Sequence, residues 1–147
     1  MSHTTILDTG PLVALLNARD PHHAWVRGQW DMIDAPLYTC EAVIGEACFL
    51  ARRLGRDGQK RVLEFVRRGA LDLSFPLEDE IDAVARLAEK YRDVPMSLAD
   101  ACLVRMSEIH REGRILTLDR DFTIYRKNRR QRIALLSPYA GPTGLGE

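Results

Sequence analysis

Strand-like and helix-like segments alternate along this chain, and two of the strand-like segments run directly into an aspartate. Residues 3–8 read as a strand rich in β-branched side chains, closed by Thr9-Gly10-Pro11, whose proline is preset for the first turn of a helix over Leu12–Leu16. Asp20-Pro21 starts a second helix with Trp25, Val26, Trp30 and Ile33 on its apolar side, and Ala35-Pro36 stops it. After an extended Leu37-Tyr38-Thr39, the spacing predicts an amphipathic helix over 41–54 with Val43, Ala47, Leu50 and Leu54 as its stripe. Gly55 ends it, and another helix follows over 58–68. Residues 71–75 alternate as a short strand. Pro76 opens a helix carrying Ile81, Val84 and Leu87, and Val94-Pro95 breaks the chain before a helix over 98–112. A strand over 115–118 ends at Asp119, followed by Phe122–Tyr125 and a last strand over 133–136. This order predicts an α/β fold of three layers, with a mainly parallel central sheet flanked by helices. Ligands of such sheets sit beyond the carboxyl ends of the strands, where Asp8 and Asp119 fall.

The 147 residues leave room for one domain and one core. We expect a single domain over 1–136 and a flexible, Pro- and Gly-rich tail over 137–147. With 46% hydrophobic and 29% charged residues, the composition excludes wholesale disorder and collagen-like repetition. Cys40, Cys48 and Cys102 are an odd set without paired short spacing, which argues against a disulfide framework or a zinc knuckle and for a reducing cytoplasm. Asp8, Gly10 and Pro11 interrupt the apolar run at 6–16, so neither a signal peptide nor a membrane span is expected.

The 21 basic and 21 acidic residues cancel, so no global basic field marks the chain as a nucleic-acid binder. Bases nevertheless cluster between Arg52 and Arg68, and at Arg126, Lys127, Arg129, Arg130 and Arg132; each run read alone is a solvated surface. The acids carry more information. Asp8 alone could be a turn residue. Glu46 shares the edge of the buried stripe of its helix, so it needs a partner, and an ion pair with Arg53 competes with a functional role. Asp100 in Ser97-Leu98-Ala99-Asp100 fits a capping box, and strand alternation puts Thr117 and Asp119 on one side, with Asp121 close behind. Four carboxylates converging from two strand ends and two helices would repel one another unless a cation compensated. Hard oxygen ligands without matched His or Cys favour Mg²⁺ or Mn²⁺ over zinc, which points to phosphate chemistry. His22, His23 and His110 read as structural.

Four segments taken in order, Ile6-Leu-Asp8-Thr-Gly-Pro-Leu-Val-Ala, Glu41-Ala-Val-Ile-Gly-Glu46-Ala, Pro95-Met-Ser-Leu-Ala-Asp100-Ala and Leu116-Thr-Leu-Asp119-Arg-Asp-Phe122, resemble PIN-domain ribonucleases, and among these the bacterial VapC-type toxins. The resemblance runs from about residue 6 to 136. It implies an acidic metal site of Asp8, Glu46, Asp100 and Asp119, with Asp121 a ligand of second rank and the hydroxyls of Thr117 and Thr9 holding carboxylates or water. It also implies Mg²⁺ or Mn²⁺ as cofactor, and RNA such as tRNA or rRNA, cut internally at single-stranded sites. A homodimer and a small antitoxin protein occupying the acidic groove are implied as partners. The basic runs then become candidate RNA-tracking surfaces, with Arg53, Arg126, Lys127 and Arg129 as substrate-binding candidates. Trp25, Trp30 and Phe49 would face either the core or a partner, core being the default.

Two rivals stand beside the metal-dependent endoribonuclease. One is a non-catalytic PIN-like module that binds RNA or protein and needs only the basic surface. The other is a phosphatase or phospho-receiver on a similar sheet, disfavoured because Asp8-Thr-Gly-Pro lacks the second aspartate of an Asp-x-Asp pattern.

Overall fold

In the computed structural model, which describes residues 3–139, the strand-like segments pair as the alternation predicts. Strands β1 (Thr5–Leu7), β2 (Leu37–Tyr38), β3 (Leu71–Asp72), β4 (Arg114–Leu116) and β7 (Leu135–Leu136) form one sheet in the order β3-β2-β1-β4-β7. Every pairing in it is parallel, with Ile6 opposite Ile115 on one side and Tyr38 on the other. Helices α1 (Thr9–Leu16), α2 (His23–Met32), α3 (Glu41–Ala51), α4 (Gly58–Arg67), α5 (Ile81–Lys90) and α6 (Leu98–Ile109) connect and cover the strands.

Strand alternation divides the core in two. Ile6 and Ile115 pack with Val84, Leu87, Leu103 and Met106 of α5 and α6, whereas Leu7 and Leu116 pack with Leu12, Ile44, Ala47 and Val62 of α1, α3 and α4. Both faces of the sheet are therefore dry, as a parallel sheet requires. After β1 the chain winds out to β2 and β3, then crosses back to place β4 on the other side of β1. This reversal opens a crevice between the carboxyl ends of β1 and β4.

Most predicted elements are present, with shorter ends. The helix expected over 41–54 stops at Ala51 and tightens into a 3₁₀ turn over Arg52–Leu54. Its buried stripe is Val43, Ile44, Ala47 and Ala51, and Leu50 stands 36% exposed, because α3 is clasped by both halves of the core. The helix expected from Pro76 begins only at Ile81, after a turn. Phe122 lies in a 3₁₀ turn over Arg120–Thr123. The basic run beyond it forms an unforeseen antiparallel hairpin, β5 (Arg126–Lys127) and β6 (Gln131–Arg132). Of the tail expected over 137–147, residues 140–147 lie outside the described residues. Tyr139 is held by a contact of its hydroxyl with His22 and by the Arg120 guanidinium 4.0 Å from its ring centre.

The histidines have structural partners. His23 meets the Ala14 carbonyl through Nδ1, and His110 stacks on Tyr38. Trp25 and Trp30 pack against the core, while Phe49 is exposed. All three cysteines are free, and among the described residues no helix is long and apolar enough to cross a membrane.

Candidate active site

Asp8 sits where β1 ends and α1 begins. Its backbone N–H continues the ladder to the Leu116 carbonyl, and its side chain caps α1 by accepting the Thr9 amide at 2.8 Å. The turn-residue reading of Asp8 is thus correct but incomplete. The second carboxylate oxygen accepts a 2.6 Å hydrogen bond from the Thr117 hydroxyl, just beyond β4, across the crevice. The Thr117 oxygen in turn accepts the Asp119 amide at 2.9 Å, and Asp119 accepts the Asp121 amide at 2.9 Å. A single buried threonine therefore ties the two strand ends together.

The helices bring the other acids. Glu46 is exposed on α3, and its carboxylate accepts a 2.9 Å bond from the Thr9 hydroxyl; the expected pairing with Arg53, which is exposed on the turn after α3, is not made. Ser97 caps α6 by accepting the Asp100 amide at 3.0 Å, half of the expected capping box. The Asp100 carboxylate does not close that box. It accepts a 2.9 Å bond from the Tyr125 hydroxyl, whose ring is fully buried against Tyr91 and Phe122.

The electrostatics follow from burial without compensation. Asp8 is only 6% exposed, and desolvation pushes its pKa up to about 7; the Thr117 and Thr9 bonds oppose the rise, and the charges of Asp100 and Asp119 add to it. Burial likewise raises Asp100, with Asp119 and Glu46 contributing, and raises Asp121, with Asp119 contributing. Among the described residues none of these five carboxylates forms a salt bridge. Among those residues, too, no three His, Cys, Asp or Glu side chains stand close enough together to hold one metal ion. The carboxylates are instead turned toward hydroxyls and amides while sensing one another's charge. Asp8 is thus a buried carboxylate with acidic neighbours and no basic partner, a charge that the protein itself does not compensate.

The basic candidates separate. Lys127 is only 4% exposed, and its ammonium lies on the carbonyls of Ser107 and Arg111 at 3.4 and 3.3 Å. The Arg126 guanidinium is turned onto the carbonyls of Thr123, Ile124 and Tyr125. Lys127 therefore ties the hairpin to carbonyls at and just beyond the end of α6, and Arg126 satisfies those of the turn that leads into the hairpin. Arg129 remains exposed at the hairpin tip. Tyr125 and Ser97 escaped sequence reasoning as site residues. Ser97 was visible as a cap, whereas nothing local signals that Tyr125 reaches a carboxylate 25 residues away.

Residues 5–128 match the family model described as PIN domain. Over 116 residues the chain is 36% identical to Ribonuclease VapC26 of Mycobacterium tuberculosis (strain ATCC 25618 / H37Rv), an alignment covering 78% of this chain and 86% of that protein. Its fold is similar to the crystal structure of Mycobacterium tuberculosis VapC20, titled a sarcin-ricin loop cleaving toxin, with a TM-score of 0.73 and 20% identity over 82% of this chain and 94% of that one.

Proposed function

Because the chain belongs to the PIN domain family, in its VapC-type branch, we propose that it is a metal-dependent endoribonuclease that cuts RNA internally at single-stranded sites. The observation that carries the reading is Asp8: a buried carboxylate at the sheet's switch point, crowded by Asp100 and Asp119 and lacking a basic partner. RNA as substrate is supported by the name of the 36% identical relative, and unpaired bases are the part of structured RNA that a protein can read.

Asp8, Glu46, Asp100 and Asp119 would hold Mg²⁺ or Mn²⁺, with Asp121 in reserve. Such an ion supplies neutralisation of the scissile phosphate's charge and a more acidic water at neutral pH. The chain's own residues supply position. Thr117 fixes the Asp8 carboxylate and the Asp119 backbone at once, Thr9 fixes Glu46, and Tyr125 fixes Asp100. The elements that carry these acids, β1, β4, α3 and α6, are packed into the core on both sheet faces, and the side chains would draw together on the ion. The unit that performs this is the single domain over 1–136, acting in the cytoplasm as a homodimer, and the acidic crevice is the surface a small antitoxin protein would cover.

The test is to incubate purified protein with structured RNA and Mg²⁺ or Mn²⁺, with and without EDTA, beside Asp8→Asn and Asp100→Asn, and to sequence the RNA ends. Discrete internal cuts that vanish in EDTA and in both variants, with circular dichroism unchanged, are expected. Cuts that persist in EDTA or in the variants refute the proposal. RNA binding without any product leaves a non-catalytic binding module.

A further inference from the structure

We propose that a second, cationic groove binds the phosphate backbone of RNA outside the acidic crevice; this rests on the nuclease reading above. The groove lies between α5, the middle of α6 and the β5–β6 hairpin. It encloses about 420 Å³ and is lined by Arg86, Lys90, Arg105, Glu108, Arg126 and Arg129. Five bases there face Glu108, with Glu80 reaching in from the edge to Arg105 at 2.7 Å, a formal surplus of three positive charges.

The cations are unequally committed. Arg105 is neutralised by Glu80 and Glu108, and Glu108 is further engaged by the Asn128 amide at 2.6 Å. Arg126 caps carbonyls. Arg86 and Arg129 are exposed, and among the described residues neither guanidinium has a hydrogen bond or an ion pair. Lys90 donates to the Arg129 carbonyl at 2.8 Å, which pins the hairpin tip to α5 without cancelling the charge.

The backbone at the tip gives an independent sign. Asn128 and Arg129 have φ of 49° and 75°, both left-handed. Arg129 is the middle residue of a tight turn closed by the Arg130 amide on the Asn128 carbonyl at 3.0 Å, a conformation that strains a residue bearing a Cβ. The chain holds an unpaired arginine in that position, at the rim of a groove already rich in cations. Strain that carries a free cation into a positive groove is the arrangement expected of an anion-binding site. Arginine's planar fork suits phosphate oxygens.

The groove favours a nucleic-acid backbone over a protein partner because it offers little apolar anchorage beyond Ala83 and Leu87. The exposed large apolar side chains, Ile81 of α5 and Leu98 and Ile109 of α6 included, lie outside its lining. It is also in reach of the crevice. Asp100 and Arg105 are five residues apart on α6, about 7.5 Å of helix rise, and Tyr125, which holds Asp100, immediately precedes Arg126. A crevice lined with carboxylates repels RNA, so affinity must come from cations placed beside it.

The test compares the full-length wild type with Arg86→Ala/Arg129→Gly, which removes two exposed cations and relaxes the turn, and with Arg86→Lys/Arg129→Lys. A labelled single-stranded RNA of about 20 nucleotides is the probe, followed by fluorescence anisotropy in EDTA across a salt series. The neutral variant should bind about tenfold more weakly at moderate salt. Its plot of log affinity against log salt should be shallower by about 1.4, at roughly 0.7 per lost phosphate contact on a single strand. The lysine variant should keep the wild-type slope. With Mg²⁺, the neutral variant should show a raised KM and an unchanged kcat on the long RNA. An unchanged affinity and slope overturn the groove, as do loss of poly-glutamate binding in place of RNA binding or a changed oligomeric state on gel filtration. If the wild type cleaves nothing with Mg²⁺ or Mn²⁺ yet the slope still falls in EDTA, the nuclease reading fails and the groove stands.

Discussion

Asp8→Asn should make the metal-free protein more stable in alkaline solution and less stable in acid, a reversal that only an uncompensated buried carboxylate produces. In the native protein burial raises the Asp8 pKa to about 7 from an ordinary 3.8. Between those values the folded chain keeps a proton that the unfolded chain has released. The stability tied to this proton is full below about pH 4, falls as pH rises, and is lost once pH passes about 7. Each pH unit costs about 1.4 kcal/mol, so the roughly three units between the unfolded and the folded pKa amount to about 4 kcal/mol. Asparagine has no charge to bury, but its amide nitrogen replaces one of two accepting oxygens. It can keep the Thr9 amide bond, but its amide nitrogen can meet Thr117 only as a donor, so the hydroxyl must turn round and give up its 2.6 Å bond, at a cost of about 1 kcal/mol. The variant should therefore be about 1 kcal/mol less stable at pH 3 and about 3 kcal/mol more stable at pH 8, crossing the wild type near pH 4.5. Urea unfolding in EDTA, followed through Trp25 and Trp30 fluorescence, reads this directly. Adding Mg²⁺ or Mn²⁺ at pH 8 should raise the wild type alone. Parallel pH profiles, or an equal metal effect on both proteins, would show that Asp8 carries no unpaid charge and bears no cation.

Tyr125→Phe removes the hydroxyl that stabilises the Asp100 carboxylate, so the acid limb of the cleavage pH profile should move upward, with a stability loss of about 1 kcal/mol; an unmoved limb would refute the positioning role. Lys127→Met removes a buried ammonium from two carbonyls and should lower the urea midpoint by the equivalent of about 1–3 kcal/mol while leaving the salt slope of RNA binding unchanged; a shallower slope would return Lys127 to the RNA-contacting set. Gly58→Ala forces a Cβ onto the Ala51 carbonyl oxygen where α4 starts, and should cost about 1–3 kcal/mol in thermal or urea unfolding; an unchanged midpoint would mean that the start of α4 yields freely.

The fold was legible because its information is local and repeated. The strands of the main sheet are short, largely apolar runs, α1, α4 and α6 start at an aspartate or a serine, and the alternation of strands with helices favours a parallel sheet with covered faces. What local pattern could not supply was the hairpin at Arg126–Arg132. Its strands are charged and two residues long, its tip has no glycine, and its stability comes from the Lys90 and Lys127 anchors on distant carbonyls. A run of bases with no apolar periodicity reads as solvated surface, which makes Lys127 an expected RNA contact by sequence, yet it is one of the buried polar residues.

The acids were legible as types and positions, but their partners were not, and the distinction has a physical basis. A carboxylate at a strand end or in a helix's first turn is a position that sequence fixes. Which group satisfies it depends on contacts 25 to 109 residues apart, such as Tyr125 with Asp100 and Thr117 with Asp8. Arg53 was the nearer partner for Glu46 by helix spacing, yet Thr9 took it, because the start of α1 brings a hydroxyl to that carboxylate. The outcome matters for chemistry. An arginine on Glu46 would have neutralised the crevice internally, whereas a threonine binds the carboxylate and leaves its charge in place. Hydroxyls on Asp8, Glu46 and Asp100 therefore order these side chains while preserving the negative field that the proposed divalent cation would neutralise.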